Sequence, residues 1–170
     1  MVTREADGVW ITLKEEIHAA PAEVASCIAS ASGICRWLAV AAEYPTEIGA
    51  TLSISWDREW SHTTDVTVLE YLCDRVLDGH ALVRWDWYPS PIDETSVPVE
   101  ISVSPLTHHG RTLAGDPSGA RVIVRHGPFR NTAGDALLTV ADSAESWRWY
   151  LCNLRSVLEA KHDMRAIRPL

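Results

Sequence analysis

Four residues of this 170-residue chain have the chemistry to move a proton or polarise an oxygen inside a protein: His126, Tyr71, Tyr150 and Glu70. His126 stands in GARVIVRHGPF, where it alternates with Val122 and Val124, so on a half-buried strand it points inward with them. A neutral imidazole placed so can act as general acid or base, can hydrogen-bond a ligand carbonyl, or can be a satisfied core histidine at a sheet end. Tyr71 and Tyr150 can donate to an enolate or carbonyl oxygen, although a buried Tyr more often bonds backbone. Glu70 lies in DVTVLEYLCD, whose two faces, Val66/Val68/Glu70/Leu72 and Thr67/Leu69/Tyr71/Cys73, both carry apolar side chains. Turned inward, Glu70 is a second candidate base. Asp86 and Arg84 alternate with Trp85 and Trp87 and are expected outside.

Other constellations are weaker. Asp57, Glu59 and His62 lie close together, but a polar connection between strands accounts for them as well as a metal or acid–base site does. His108–His109 has no carboxylate or Cys at useful spacing, and Cys27, Cys35, Cys73 and Cys152 form no CxxC pair, so no metal site is expected. Nucleophile elbow, phosphate loop and dinucleotide fingerprint are all missing, so no cofactor is expected. A net charge of −8 opposes general affinity for nucleic acid or anionic lipid. Arg121, Arg125 and Arg130 read as a solvated strand face. No apolar run is long enough to span a membrane. The polar opening MVTREADGVW and the scattered cysteines point to a cytoplasmic protein.

The candidate residues need a scaffold. Val9–His18 reads as a first strand, with Val9, Ile11 and Leu13 on one face and a break at Glu15–Glu16. Pro21 then opens a short helix, PAEVASCIAS, and Ser32–Gly33 separates it from a second, GICRWLAV. ATLSISWD, DVTVLEYLCD, HALVRWDWYP, VEISVSPL and GARVIVRHGPF follow as strands, with long loops at 89–98 and 105–118. The last element is a helix from about Asp142 to His162, started by the Asp142/Glu145 pair. Its apolar stripe is Trp147, Tyr150, Leu151, Leu154, Val157 and Leu158. The tail beyond Met164 is expected to be loosely held. With no internal repeat or long linker, residues 1–170 read as one α+β domain. A curved antiparallel sheet wraps around the long C-terminal helix, and two short helices follow the first strand.

That order, with Ile17, Ala20–Pro21–Ala22–Glu23–Val24, Trp37, Gly49, Glu70 in VLEYL, Trp85 in LVRW, GARVIVRHGPF and SWRWYLCNLRSVLE, resembles the START-like, or SRPBCC, superfamily with its helix-grip fold. More narrowly, it resembles the branch named after the activator of the heat-shock chaperone ATPase. Ser146 stands where that branch usually has Gly before the last-helix Trp. The resemblance covers nearly the whole chain and implies an apolar cavity between sheet and last helix. Eight Trp against one Phe suit either a dense core or a site for organic ligands.

Expected cavity-facing residues are Leu52, Ile54, Trp56, Leu69, Val83, Trp85, Trp87, Ile101, Val124, Trp147, Leu151 and Leu154, alongside Tyr71 and Tyr150. Two function classes follow. In the first, the cavity takes a small lipophilic molecule and possible chemistry is cofactor-free cyclisation, dehydration or aromatisation of a polyketide-like substrate. His126 would then transfer the proton. In the second, the chain is a non-catalytic interaction protein of the chaperone-activator kind, using its long loops. Oligomeric state is not legible.

Overall fold

The computed structural model describes residues 1–87, 97–106, 119–130 and 135–166. Most of the two expected long loops, including His108–His109, lies outside the described residues. Eight strands form one antiparallel sheet: β1 (Val2–Glu5), β2 (Gly8–Ile17), β3 (Ala41–Glu43), β4 (Thr51–Ser55), β5 (Thr63–Leu72), β6 (Ala81–Trp87), β7 (Val97–Pro105) and β8 (Ala120–Phe129). Their spatial order is β1-β2-β8-β7-β6-β5-β4-β3. Helices α1 (Pro21–Ser26) and α2 (Ala31–Cys35) close one end, and α3 (Asp135–Ala160) lies in the concave face of the sheet. This is the expected helix-grip architecture. No described helix is long and apolar enough to cross a membrane.

Two strands differ from the expected set. The β1 hairpin and the short β3 were not read as strands, because VTRE and AAE carry no apolar alternation and owe their pairing to β2 and β4. The last helix begins at Asp135 rather than Asp142. Nothing in ALLTVA breaks a helix, so the Asp142/Glu145 pair lies exposed inside it and caps nothing. At 26 residues α3 is long enough to cross the whole concave face. Val140, Trp147, Leu151, Leu154 and Leu158 form its buried stripe.

The apparent break at Glu15 has a physical cause. Glu15 keeps the inward parity of Val9, Ile11 and Leu13, and its carboxylate accepts from Arg148 and Arg155 of α3, each at 3.1 Å. An inward charge thus ties helix to sheet instead of ending the strand. Beyond the helix, the tail is held as far as Ala166. Met164 N donates to buried Asn153 Oδ1 at 2.7 Å, and Arg165 pairs with Asp163 and donates to the Ala39 and Cys35 carbonyls. The expectation of a loose tail therefore fails through residue 166.

Gly33 is not a break between helices. It lies inside α2, where its N–H bonds the Ser30 side chain at 3.1 Å. A Cβ there would collide with the Ser26 carbonyl oxygen and come within 2.8 Å of Cys27 Cα. Both obstacles are backbone and cannot swing aside. Gly33→Ala is therefore expected to destabilise the fold by about 3 kcal/mol, whereas Ala at exposed Ser32 stays within about 0.5 kcal/mol. Equal thermal midpoints for the two variants would contradict this close packing of α1 on α2.

Candidate ligand-binding site

A partly open cavity of about 300 Å³ lies between the sheet and the first half of α3. Trp56 at the end of β4, Trp87 at the end of β6 and His126 on β8 supply its sheet side. Thr139, Asp142, Ser143, Ser146, Trp147 and Tyr150 supply its helix side, at the three- and four-residue steps that bring side chains onto one helical face.

The strands reach this point by alternation corrected by two bulges. On β8 the inward set Val122, Val124, His126 is followed by an extra residue, because Ile11 pairs with His126 while Val9 pairs with Phe129. His126 and Phe129 are consequently both buried, with ring centroids 4.8 Å apart. On β5 the extra residue is Leu69: Val68 pairs with Trp85 and Glu70 with Arg84. The bulge switches parity, so Val66, Val68 and Tyr71 go inward. Leu69 is 37% exposed, and Glu70 faces outward across from Arg84. The expectations of an inward Leu69 and an inward base at Glu70 are both corrected by that one inserted residue.

Tyr71 is inward but distant in role. Its hydroxyl donates to the Ala29 carbonyl at 2.8 Å, at the end closed by α1 and α2. The bond is structural. Of the four candidate proton-handling residues, the cavity therefore brings together His126 and Tyr150. Among the expected ligand-facing residues, Trp56, Trp87 and Trp147 line it. Leu52, Ile54, Val83, Trp85, Ile101, Val124, Leu151 and Leu154 are fully buried core instead. Asp57, Ser61 and His62 form an exposed turn, with His62 Nδ1 2.7 Å from Asp57 and Ser61 Oγ 2.6 Å from the same oxygen. This is the polar connection between strands.

On the helix side Trp147 and Tyr150 are the expected residues, and Thr139, Asp142, Ser143 and Ser146 are additional ones at the same helical spacing; the late helix start placed Thr139 in a linker.

His126 is the chemical centre of the site. Its side chain is 1% exposed. Trp147 Nε1, which can only donate, lies 3.2 Å from His126 Nδ1. Nδ1 must therefore accept, and the single proton of a neutral ring sits on Nε2. Burial pushes the imidazole from its ordinary 6.5 down to about 3, only partly offset by the Val97 backbone. His126 is thus neutral at physiological pH, and its Nε2–H approaches the Val97 backbone without a well-aligned bond. Trp85 Nε1, deeper in the core, also lacks a well-aligned bond among the described residues. Tyr150 is pushed up to about 12 by burial, so it keeps its phenolic proton.

Around this donor the aromatic rings form a continuous wall. Trp85 leans on Trp87 at 6.4 Å, Trp87 meets Trp147 edge-on at 5.5 Å, Trp147 meets Tyr150 at 6.0 Å, and Tyr150 stacks on Trp56 at 5.9 Å. Trp56 is fixed in turn by its Nε1 bond to Thr64 Oγ1 at 2.9 Å. No group of His, Cys, Asp and Glu among the described residues is arranged to hold a metal.

No family model matches the chain, and no curated protein matches it in sequence. Solved structures do. The chain is similar to the Aha1 dimer from Colwellia psychrerythraea, with 14% identity, a TM-score of 0.64, and coverage of 88% of this chain and 96% of that one. CalU16 from Micromonospora echinospora gives 15% identity, a TM-score of 0.59, and coverage of 98% and 86%. DynU16, a putative protein of the dynemicin biosynthetic locus, gives 15% identity, a TM-score of 0.63, and coverage of 94% of this chain but 49% of that one. At such identities the likeness carries fold and not activity. With its sheet gripping α3, the chain has the helix-grip fold that it shares with these neighbours in structure.

Proposed function

We propose that the protein binds a small, largely apolar molecule in the cavity beneath the first half of α3. Neutral His126 donates its Nε2–H to an oxygen of that molecule. The observation that carries this reading is the aromatic-lined void with His126 and Tyr150 on its wall. The Nε2–H is only loosely matched by the Val97 backbone, so a ligand carbonyl or hydroxyl that reached it would gain a better-aligned bond.

The chemistry this site suits is polarisation of an oxygen, not proton abstraction. A base whose conjugate acid ionises near 3 takes protons poorly at neutral pH, while a neutral imidazole N–H remains a good donor to a developing oxyanion. Enclosure by Trp56, Trp87 and Trp147 would hold a flexible carbonyl compound in one shape, and enolisation, dehydration or cyclisation gain from that restriction. Tyr150 is a second proton donor on the same wall. The reading takes residues 1–170 as one domain. All four cysteines are free, which suits the cytoplasm, where we place the protein.

Native mass spectrometry of freshly purified protein, followed by extraction of whatever is retained, tests the reading. A bound compact organic molecule with an oxygen acceptor is the expected result. A protein that carries nothing, and whose tryptophan fluorescence is unmoved by acetophenone, indole and phenyltrimethylammonium, would contradict it.

A further inference from the structure

We infer that the ligand is an organic cation, of the quaternary ammonium or protonated amine class, held against the rings of Trp56, Trp87, Trp147 and Tyr150 beside Asp142. The inference rests on the ligand-binding reading of this cavity and narrows it. Ring geometry is the first support. Trp147 is turned 62° from Trp87 and 68° from Tyr150, while Trp56 lies within 25° of Tyr150. All four rings line the one cavity, and each ring carries its negative pole on its face. Rings set in this way attract a cation, most strongly where water is displaced.

Charge is the second support. Asp142 is the one formally charged side chain on the wall, and no Lys or Arg lines the cavity among the described residues. The charge of Arg165 reaches Tyr150, but Arg165 does not line the cavity; it is paired with Asp163 at 2.7 Å and bonded to the Cys35 and Ala39 carbonyls. A carboxylate or phosphate ligand would meet no cation there and would face Asp142. The net charge of −8 also favours cations around the protein as a whole. Third, under the ligand-binding reading His126 offers its N–H to an oxygen of the ligand. A volume of about 300 Å³ is at the small end for ligand sites, which favours one or two rings over a long-chain lipid. The ligand class is thus a compact molecule with a cationic head and an oxygen acceptor.

Two probes that differ in one atom test this: (4-acetylphenyl)trimethylammonium and its neutral isostere 4′-tert-butylacetophenone, each titrated into full-length protein by tryptophan fluorescence. Both present the same ketone to His126. The cation is expected to bind about fivefold tighter although it is far better solvated. In Asp142→Asn, a change at an exposed helix position, the ratio should fall toward one. Equal or tighter binding of the neutral probe would overturn the cationic assignment and leave the cavity reading standing. No binding of either probe would overturn both.

Discussion

Acidification from about pH 6.5 to about pH 4.5 is expected to cost the folded protein about 2 kcal/mol through His126 alone. In the folded chain this ring ionises only near 3, because burial opposes the charge. In the unfolded chain it takes a proton at its ordinary 6.5. Between those values the unfolded state binds more protons, so stability rises with pH and is lost as pH falls. The window is informative because the carboxylates held low by their partners, Glu23 by Arg36, Glu159 by the His18 backbone and Asp163 by Arg165, cost stability only at more acid pH. Urea midpoints measured across this range should slope in the wild type and flatten in His126→Phe. The slope is the readout, since that variant also strands Trp147 Nε1 and shifts absolute stability. An identical slope in both would show that His126 is not held neutral.

Trp147→Ala is expected to be the most damaging single change at the site, at about 3–5 kcal/mol. Trp147 is 3% exposed and joins α3 to the sheet at two points, the edge contact with Trp87 and the bond to His126 Nδ1, while also packing on Tyr150 of its own helix. Trp147→Phe separates packing from hydrogen bonding. It keeps an aromatic ring but removes the N–H, so about 1–2 kcal/mol is expected, together with loss of the preference for a proton on Nε2. Chemical denaturation gives the energies, and imidazole nitrogen shifts give the tautomer. A Phe variant as damaged as the Ala variant would mean that the hydrogen bond, not the packed ring, dominates.

The helix-grip architecture was legible because its signals are local. Alternation in β2, β4, β6, β7 and β8, Pro21 at a helix start and the stripe from Trp147 to Leu158 each follow from nearest-neighbour geometry. The errors fall where one residue changes parity or where a partner decides. Leu69 as an inserted residue puts Tyr71 on the face of Val66 and Val68 and turns Glu70 outward, and nothing in VLEYL announces it. Glu15 looked like the end of a pattern because its two arginines lie more than a hundred positions away. Gly33 looked like punctuation because the backbone it must clear, at Ser26, is visible only once the helices are packed. The site was half legible. His126, Tyr150, Trp56, Trp87 and Trp147 were on the page, but so were eight residues that turn out to fill the core. Inward parity alone cannot separate a cavity wall from a packed interior.

The account stands most directly on the state of one ring, and long-range proton–nitrogen NMR of the His126 imidazole at neutral pH reads that state. The expected free protein shows one neutral ring with Nε2 protonated and Nδ1 bare, and 4′-tert-butylacetophenone moves the Nε2–H resonance downfield as the ketone accepts it. A doubly protonated ring, a proton on Nδ1, or a resonance that stays in place while the probe binds would contradict the claim that His126 is the neutral donor at a ligand site.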